Sequence, residues 1–298
     1  MFERMNELSR ESQIFFVCGA PKTGTTWLQK ALNAHPAIVC AGEGHFIDRF
    51  AAELAPLFKR YLGHQAVVDR NVYEGNGFYR HDRYADFDLL LRVFVLNAFS
   101  RVERPSGTLW VGDKTPANVR HLDVLHRLFP EAKFIHMMRD GRDTLVSTLK
   151  HAERVTRDQA ELDELVSSNL RSYCLRWVEA VEASERFAAG HPGAIHTVRY
   201  EDLKSDFPTA FGSVLRFLGA DAGEDAVSHC MDESSFKRLS GGREPGQEDA
   251  SKFVRKGIVG DWKGALSPEQ LAVFMEVAGS WLARLGYLDE DGDTDAGQ

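Results

Sequence analysis

An apolar run followed by a glycine-containing turn constrains the fold of this chain more than any other segment. Residues 14–19 read Ile-Phe-Phe-Val-Cys-Gly and predict a buried strand. Residues 24–34 place apolar side chains on one face and predict a helix. A strand, a tight turn and a helix in this order bind anions, because the backbone N–H groups of the turn and the positive end of the helix point at the same place. We therefore expect a phosphate-like group at this turn.

The turn has the glycine spacing of a nucleotide triphosphatase loop but lacks the lysine of that loop. Gly19 and Gly24 match the pattern GxxxxGK[ST], whereas Thr25 stands where the lysine belongs. The lysine lies earlier, at Lys22, near the middle of the turn. This shift removes the usual partner of a magnesium-bridged γ-phosphate, so the pattern favours a different anion.

Strand and helix patterns alternate along the rest of the chain. Strands are predicted at 37–40, 109–111, 133–138 and 194–198, and helices at 46–62, 86–104, 118–129, 141–151, 161–189, 207–218 and 267–287. The alternation predicts an α/β fold, with one P-loop-like domain over 1–287 that has a central, mostly parallel sheet and helices on both faces. Ligands of such sheets bind at the carboxyl ends of the strands.

Composition excludes several classes of protein. The formal net charge of −8 over 298 residues argues against a nucleic-acid binder, and no apolar run reaches the ~20 residues that span a bilayer.

The four cysteines lack metal-binding spacing, and residues 1–12 contain no apolar export signal, so we expect a cytoplasmic protein. Residues 288–298 are rich in acids and contain no Lys or Arg, which predicts a disordered acidic tail. The oligomeric state stays open.

Two further segments carry cations that can bind a second phosphate. Arg139 follows a predicted strand, and Ser147 lies about two turns into the next helix, so the guanidinium and the hydroxyl can face one anion. Later in the chain, Arg255 and Lys256 precede Gly257, where the backbone can approach a ligand closely. The glycine-rich stretch before this second segment suits a mobile lid.

The segment Pro-Lys-Thr-Gly-Thr-Thr-Trp at 21–27 closely resembles the phosphosulfate loop of sulfotransferases that use 3′-phosphoadenosine 5′-phosphosulfate (PAPS). The resemblance implies that Lys22 contacts the oxygen that bridges phosphorus and sulfur. It also implies that the rest of the loop holds the nucleotide, through Thr23, Gly24, Thr25, Thr26 and Trp27.

Other segments resemble the same family, in the same order along the chain. The Arg139 and Ser147 pair has the spacing of the family's 3′-phosphate motif, and residues 255–263 match its RKGxxGDWK signature. The latter match implies that the 3′-phosphate is also bound by Arg255, Lys256 and Gly257. Matches to two smaller motifs of the family imply adenine contacts from Tyr200, Ser234, Ser235 and Phe236.

The resemblance leaves two candidates for the general base. Small-molecule members carry Lys-Thr-His after the third strand, but residues 113–116 here read Asp-Lys-Thr-Pro, which looks more like carbohydrate sulfotransferases and many bacterial members. Some of those use a Glu in the loop after the second strand, so Glu43 is our first choice and His45 the alternative. Partial burial is expected to raise the pKa of Glu43 towards the working pH. Lys114 is assigned to the sulfonate oxygens.

The family resemblance implies transfer of a sulfonyl group from PAPS to an acceptor hydroxyl, or as a second choice an amine, by in-line attack. Lysines can neutralise the charge that develops, so we expect no metal. The acceptor is expected to be a small molecule, a natural product or a glycan, in a pocket shaped by residues 46–105 and 240–252. Two alternatives stay open, a P-loop kinase or nucleotide triphosphatase and a non-catalytic nucleotide-binding protein.

Overall fold

Five strands form one sheet in the computed structural model, which describes residues 2–77, 79–156, 158–252 and 254–288. In chain order the strands are β1 (Gln13–Cys18), β2 (Ile38–Ala41), β3 (Trp110–Lys114), β4 (Lys133–Met138) and β5 (Ile195–Arg199). They lie in the order β2-β3-β1-β4-β5, and every neighbouring pair is parallel. The predicted α/β fold with a parallel sheet is therefore confirmed.

Helices cover both faces of the sheet. They are α1 (Phe2–Glu11), α2 (Thr25–Ala34), α3 (Ala52–Val72), α4 (Arg83–Ser100), α5 (Leu122–Leu128), α6 (Gly141–Val155), α7 (Gln159–Gly190), α8 (Tyr200–Ser205), α9 (Phe207–Leu218), α10 (Glu224–Glu233), α11 (Phe236–Leu239), α12 (Trp262–Ala265) and α13 (Pro268–Arg284). A π-helical turn, Phe46–Ala51, precedes α3, and a 3-10 turn, Pro116–His121, precedes α5.

The alternation of side chains along β1 divides the core into two layers. Phe16 packs in the larger layer, with buried side chains from α4, α5, α6, α7 and α13. Phe15 and Val17 pack in the other layer, with α2, α9 and α10. Because both faces of β1 are buried, its sequence is a continuous apolar run and not an alternating one.

The region between β2 and β3 differs most from the predicted elements. The predicted helix 46–62 begins as the π-helical turn and continues as α3 to Val72, and the predicted helix 86–104 is α4. Helix α3 has no fully buried residue among those described, and its half-buried positions turn from apolar to polar after Leu62, so the apolar pattern does not mark its full extent. The short helices α1, α8, α10, α11 and α12 have no counterpart among the predictions.

The end of the chain leaves the predicted tail untested. Leu288 is partly buried against the larger core layer. The remainder of the predicted tail, 289–298, lies outside the described residues.

Candidate active site

A cleft of about 860 Å³ opens where β1, β3 and β4 end. The strand β1 lies between β3 and β4, so the chain leaves this edge of the sheet in opposite directions, and such a switch point is where α/β sheets bind ligands. The turn after β1, the loop after β2, helix α6 and the segment 254–258 all contribute to the walls.

Most of the site residues predicted from the sequence line this one cleft. They are Lys22, Gly24, Thr25, Thr26, Trp27, Glu43, His45, Arg139, Ser147, Tyr200, Phe236, Arg255, Lys256 and Gly257. Residues separated by more than 230 positions therefore meet at one end of the sheet.

Four predicted site residues do not line the cleft. The Thr23 hydroxyl donates to the Ala20 carbonyl at 2.8 Å, and the Ser234 hydroxyl donates to the Cys230 carbonyl at 2.6 Å. The Ser235 hydroxyl caps α11. Lys114 is buried and donates to Glu43. The hydroxyls of these residues and the ammonium of Lys114 thus have partners within the chain.

Close packing explains why residue 24 of the turn is a glycine. Gly24 has a φ of +101°, and a Cβ there would lie 2.8 Å from the Tyr200 ring. Lys22 also has a positive φ, 73°, which a residue with a side chain rarely adopts. This conformation belongs to the turn that brings Lys22 to the wall of the cleft.

Burial and neighbouring charges lower the pKa of Lys22 to about 8. Burial is the largest cause, and the positive charge of Arg154 adds to it. Lys22 is therefore largely protonated at neutral pH and loses its charge about two pH units earlier than an ordinary lysine.

The lowered pKa of Lys22 predicts how the binding of 3′-phosphoadenosine 5′-phosphate (PAP), the desulfated nucleotide, depends on pH. An anionic ligand favours protonated Lys22, so affinity should be highest below pH 8 and fall by up to about tenfold per pH unit above it. Calorimetry from pH 7 to 9.5 measures this. Lys22→Arg keeps its charge and should remove most of the dependence. An equally steep fall in that variant would assign the effect to another group.

Aromatic rings and one guanidinium form the wall next to the turn. The indole Nε1 of Trp27 donates to the Ser234 carbonyl at 2.9 Å, and its ring meets Tyr200 edge-on at 5.3 Å between centroids. The guanidinium carbon of Arg139 lies 4.2 Å from the centroid of Tyr200. Ser234 thus acts on the cleft through its carbonyl, which orients Trp27.

Asp261 holds the two cations of the late basic turn. It accepts hydrogen bonds from Arg255 and from Lys256, while Glu248 accepts a second bond from Arg255 at 2.6 Å. Gly257 has a φ of +66°, and a Cβ there would collide with the Phe236 ring. The turn is therefore packed against Phe236 with both cations on the cleft wall.

Asp143, at the start of α6, anchors the same turn to the body of the protein. Its carboxylate is fully buried and accepts from the Gly260 N–H at 2.9 Å, the Trp262 N–H at 3.0 Å and Arg139 at 3.2 Å. Burial raises the pKa of Asp143, although the positive charge of Arg139 opposes that shift. One carboxylate thus couples Arg139 to the position of the late turn.

Asp143→Ala should destabilise the protein strongly, because it removes the carboxylate that pairs with Arg139 and leaves two backbone N–H groups without their acceptor. Breaking such a buried pair costs about 3–5 kcal/mol, and PAP affinity should fall with it. Denaturant unfolding and calorimetry measure the two effects. Asp163, an exposed residue of α7, offers a matched control: Asp163→Ala should change stability by no more than about 0.5 kcal/mol. Equal effects of the two variants would contradict the anchoring role.

The Glu43 carboxylate lies between the Lys114 ammonium and the His45 imidazole. Lys114 donates to its Oε1, and the Nε2 of His45 lies 3.3 Å from its Oε2. Burial alone would raise the pKa of Glu43, but the hydrogen bond and charge of Lys114, together with His45, outweigh it and lower that pKa. The expected upward shift is wrong, because the sequence did not show that Lys114 would lie against this carboxylate.

The Asp-Lys-Thr-Pro segment holds the loop that carries Glu43. Asp113 accepts from the Gly44 N–H at 2.7 Å and from the Thr115 hydroxyl at 2.7 Å, and Asn118 donates to it at 3.2 Å. Burial raises the pKa of Asp113 to about 6 in spite of these bonds. The segment thus fixes two neighbours at once, the loop through Asp113 and the Glu43 carboxylate through Lys114.

The cleft carries more positive charge than the motifs indicated. Among the described residues that line it, Glu43 is the one carboxylate, against eleven lysines and arginines. Those outside the predicted set are Lys30, Arg49, Lys150, Arg154, Arg176, Lys204 and Lys252. Ser147, Lys150, His151 and Arg154 have the spacing of one face of α6, a signal that could have been found in the sequence.

Neither a metal-binding cluster nor a membrane-spanning helix occurs among the described residues. No group of three or more His, Cys, Asp or Glu side chains among them is arranged to hold a metal ion. None of the helices built from them combines the length and hydropathy needed to cross a bilayer.

Known proteins with similar sequences are sulfotransferases. The chain is 26% identical over 293 residues to protein-tyrosine sulfotransferase 2 of Gallus gallus, covering 94% of this chain and 70% of that protein. It is 27% identical over 286 residues to protein-tyrosine sulfotransferase 1 of Homo sapiens, covering 93% of this chain and 70% of that protein.

Two solved structures with a similar fold are named sulfotransferases. Mouse sulfotransferase SULT7A1, crystallised with PAP, has a TM-score of 0.54 at 19% identity, over 94% of this chain and 88% of that one. The sulfotransferase domain of the Synechococcus PCC 7002 olefin synthase has a TM-score of 0.52 at 18% identity, over 91% of this chain and 95% of that one. At these identities the likeness concerns the fold.

The match to a family description covers most of the chain. The model described as "Sulfotransferase family" matches residues 14–224, which include the turn after β1, the Glu43 loop and Arg139. The chain therefore belongs to the sulfotransferase family.

Proposed function

We propose that this protein transfers a sulfonyl group from PAPS to a hydroxyl of an anionic acceptor. One observation carries the proposal: the Lys22 turn and the Arg255–Gly257 turn line the same cleft as Glu43. A bisphosphorylated nucleotide needs two separate cationic sites, and its reaction needs a base beside one of them.

The residues present fit the nucleotide. Gly24 keeps the turn after β1 free of a Cβ, and Thr25 and Thr26 begin α2, where N–H groups and hydroxyls can donate to an anion. The Nε of Arg139 is buried and has no hydrogen-bond partner among the described residues. An unsatisfied guanidinium nitrogen at a cleft wall is the kind of group that a phosphate oxygen satisfies.

The chain supplies the charge and the base for the transfer. Bound PAPS supplies a sulfonyl group on a phosphate leaving group. Lys22 donates where negative charge grows during the reaction. Glu43 takes the acceptor proton, and Lys114, by donating to the other oxygen of Glu43, holds the carboxylate in place.

The charge of the cleft supports an anionic acceptor. Arg139, Lys150, Arg255 and Lys256 form ion pairs with carboxylates. Seven further lysines and arginines on the described walls add positive charge, more than a bisphosphate nucleotide needs. The relatives are protein-tyrosine sulfotransferases, so a tyrosyl peptide with acidic neighbours is the first acceptor to test, beside small phenols and glycans. The cytoplasmic location and the disordered tail stay predictions.

Labelled PAPS and a panel of acceptors test the proposal. The panel pairs a tyrosyl peptide that has acidic neighbours with the same peptide that has neutral ones, and a sulfated glycan with its unsulfated form. Label should move to the anionic member of at least one pair in preference to its partner. PAP binding without transfer to any acceptor would favour a non-catalytic protein, and magnesium-dependent ATP hydrolysis would favour a nucleotide triphosphatase.

A further inference from the structure

A chain of three titratable side chains leads away from the cleft along the loop after β2. The Nε2 of His45 lies 3.3 Å from Glu43 Oε2, and its Nδ1 lies 2.8 Å from Asp48 Oδ2. Glu43 and His45 line the cleft, whereas Asp48 lies behind them. The imidazole thus connects the proposed base to a second carboxylate.

The contacts of His45 determine where a proton can sit. A carboxylate only accepts, so the contact with Asp48 requires a proton on Nδ1. In neutral His45 the Nε2 then carries a lone pair that faces Glu43 Oε2. Two lone pairs cannot form a hydrogen bond. One added proton between Nε2 and Oε2 therefore completes a hydrogen-bonded connection from Glu43 through His45 to Asp48.

We propose that His45, held in the Nδ1–H form by Asp48, receives the acceptor proton from Glu43, so that Glu43 and His45 act as one base; this rests on the proposed sulfonyl transfer. Asp48 is a positioning residue, because it acts through His45. The resting form that can react has an ionised Glu43 and a neutral His45.

The proposed transfer forms one bond to sulfur and breaks another. The acceptor oxygen forms a bond to sulfur while the bond from sulfur to the bridging oxygen breaks, and the electron pair of that bond leaves with the phosphate. The acceptor proton moves to Glu43 and from there to His45 Nε2. The resulting imidazolium lies between two carboxylates, Glu43 and Asp48.

The local backbone brings Asp48 next to Nδ1 of the His45 ring. His45 has a φ of +48°, and its carbonyl accepts from the N–H groups of both Arg49 and Phe50, at 3.3 and 3.1 Å, as the π-helical turn begins. Such wide turns are rare and occur frequently at functional sites. The other oxygen of Asp48, Oδ1, is buried and has no hydrogen-bond partner among the described residues. Among those residues, the side chain that is hydrogen-bonded to this carboxylate is therefore His45.

Other charged groups lie around the pair. Lys114 contacts Glu43, and the charge of Glu43 acts on Lys22. Arg49 follows Asp48 on the π-helical turn and lines the cleft. On the 3-10 turn, His121 is close enough to Asp48 for that charge to act on it, although burial and Arg120 lower the pKa of His121.

The dependence of kcat on pH tests the relay. Asp48→Asn should lower kcat by about tenfold, less than the 10²–10⁴ that a general base contributes. It should also move the acid limb of the profile to lower pH, because the imidazolium loses the charge of a neighbouring carboxylate. His45→Gln should remove that limb. An unchanged limb in both variants overturns the proposal.

The chain contains a matched control pair. His81 Nδ1 lies 2.9 Å from Asp86 Oδ2 at the exposed start of α4, and neither residue lines the cleft. His81→Gln and Asp86→Asn should leave both kcat and the acid limb unchanged. A shift of the limb in these variants would also count against the relay.

Nitrogen NMR of labelled histidine tests the same geometry without any turnover. The His45 signal, identified by its loss in His45→Gln, should show the Nδ1–H form when neutral, and Asp48→Asn should shift it towards the Nε2–H form that free imidazole favours. An Nε2–H signal in the unaltered protein overturns the relay. If the NMR result holds but no acceptor is sulfonated, the proposed function fails and the geometry stands.

Discussion

Lys22→Ala is expected to lower kcat for sulfonyl transfer by at least 100-fold. Lys22 stands at the middle of the turn after β1, and the loss of one preorganised donor to developing charge costs about 10²–10³ in rate. Part of the cost should appear in PAP affinity, because the ammonium also attracts the ground-state anion. Single-turnover rates and calorimetry with PAP separate the two contributions.

Lys59→Ala gives the comparison for Lys22→Ala. Lys59 is exposed on α3, and it does not line the cleft, so turnover should stay close to that of the unaltered protein. Near-normal turnover in Lys22→Ala would remove this lysine from the mechanism. The Lys22→Arg variant should retain affinity for PAP better than it retains turnover, because a guanidinium keeps the charge but not the shape of an ammonium.

Glu43→Gln is expected to lower kcat by 10²–10⁴, the usual contribution of a positioned general base. The amide cannot take a proton, although it keeps the size of the side chain and can still accept from Lys114. PAP affinity should remain within a few-fold, because the carboxylate is no part of the two cationic turns. Rate measurements at saturating PAPS isolate the chemical step.

His45→Gln should be assayed beside Glu43→Gln. If Glu43 is the group that meets the acceptor, Glu43→Gln causes the larger loss of kcat and His45→Gln the smaller. A loss confined to the His45 variant would reverse this order and make His45 the direct base. Circular dichroism of both variants checks that the loop after β2, which Asp113 and Thr115 hold, has not unfolded.

Local patterns were sufficient to predict the elements that place the site. The apolar run at 14–19 is buried on both sides in β1, and such runs carry their own signal. Gly24 adopts a φ of +101°, a backbone preference local to the turn, whereas its close contact with the Tyr200 ring is a tertiary one. The extent of α3 could not be predicted, because its half-buried positions are apolar only as far as Leu62 and continue as the polar Gln65 and Asp69.

The pairing of Glu43 with Lys114 could not be predicted, since 71 residues separate them along the chain and only the sheet brings them together. The contacts of Asp143 could not be predicted either. This residue at the start of α6 accepts hydrogen bonds from the N–H groups of Gly260 and Trp262, which lie 117 and 119 residues later in the chain. The first contact depends on the pairing of β2 with β3, and the second depends on the packing of the start of α6 against residues 260–262.

The amino-acid sequence by itself determined the parallel α/β architecture, the glycine-containing turn around Lys22 between β1 and α2, and the family, because each of these depends on short-range backbone preferences and on residue types at fixed spacing. Only the tertiary structure decided which groups share one cleft, the direction of the Glu43 pKa shift and the connection from Glu43 through His45 to Asp48. Charge interactions fall off with distance and change with burial, and both quantities are set by the packing of segments that lie far apart along the chain.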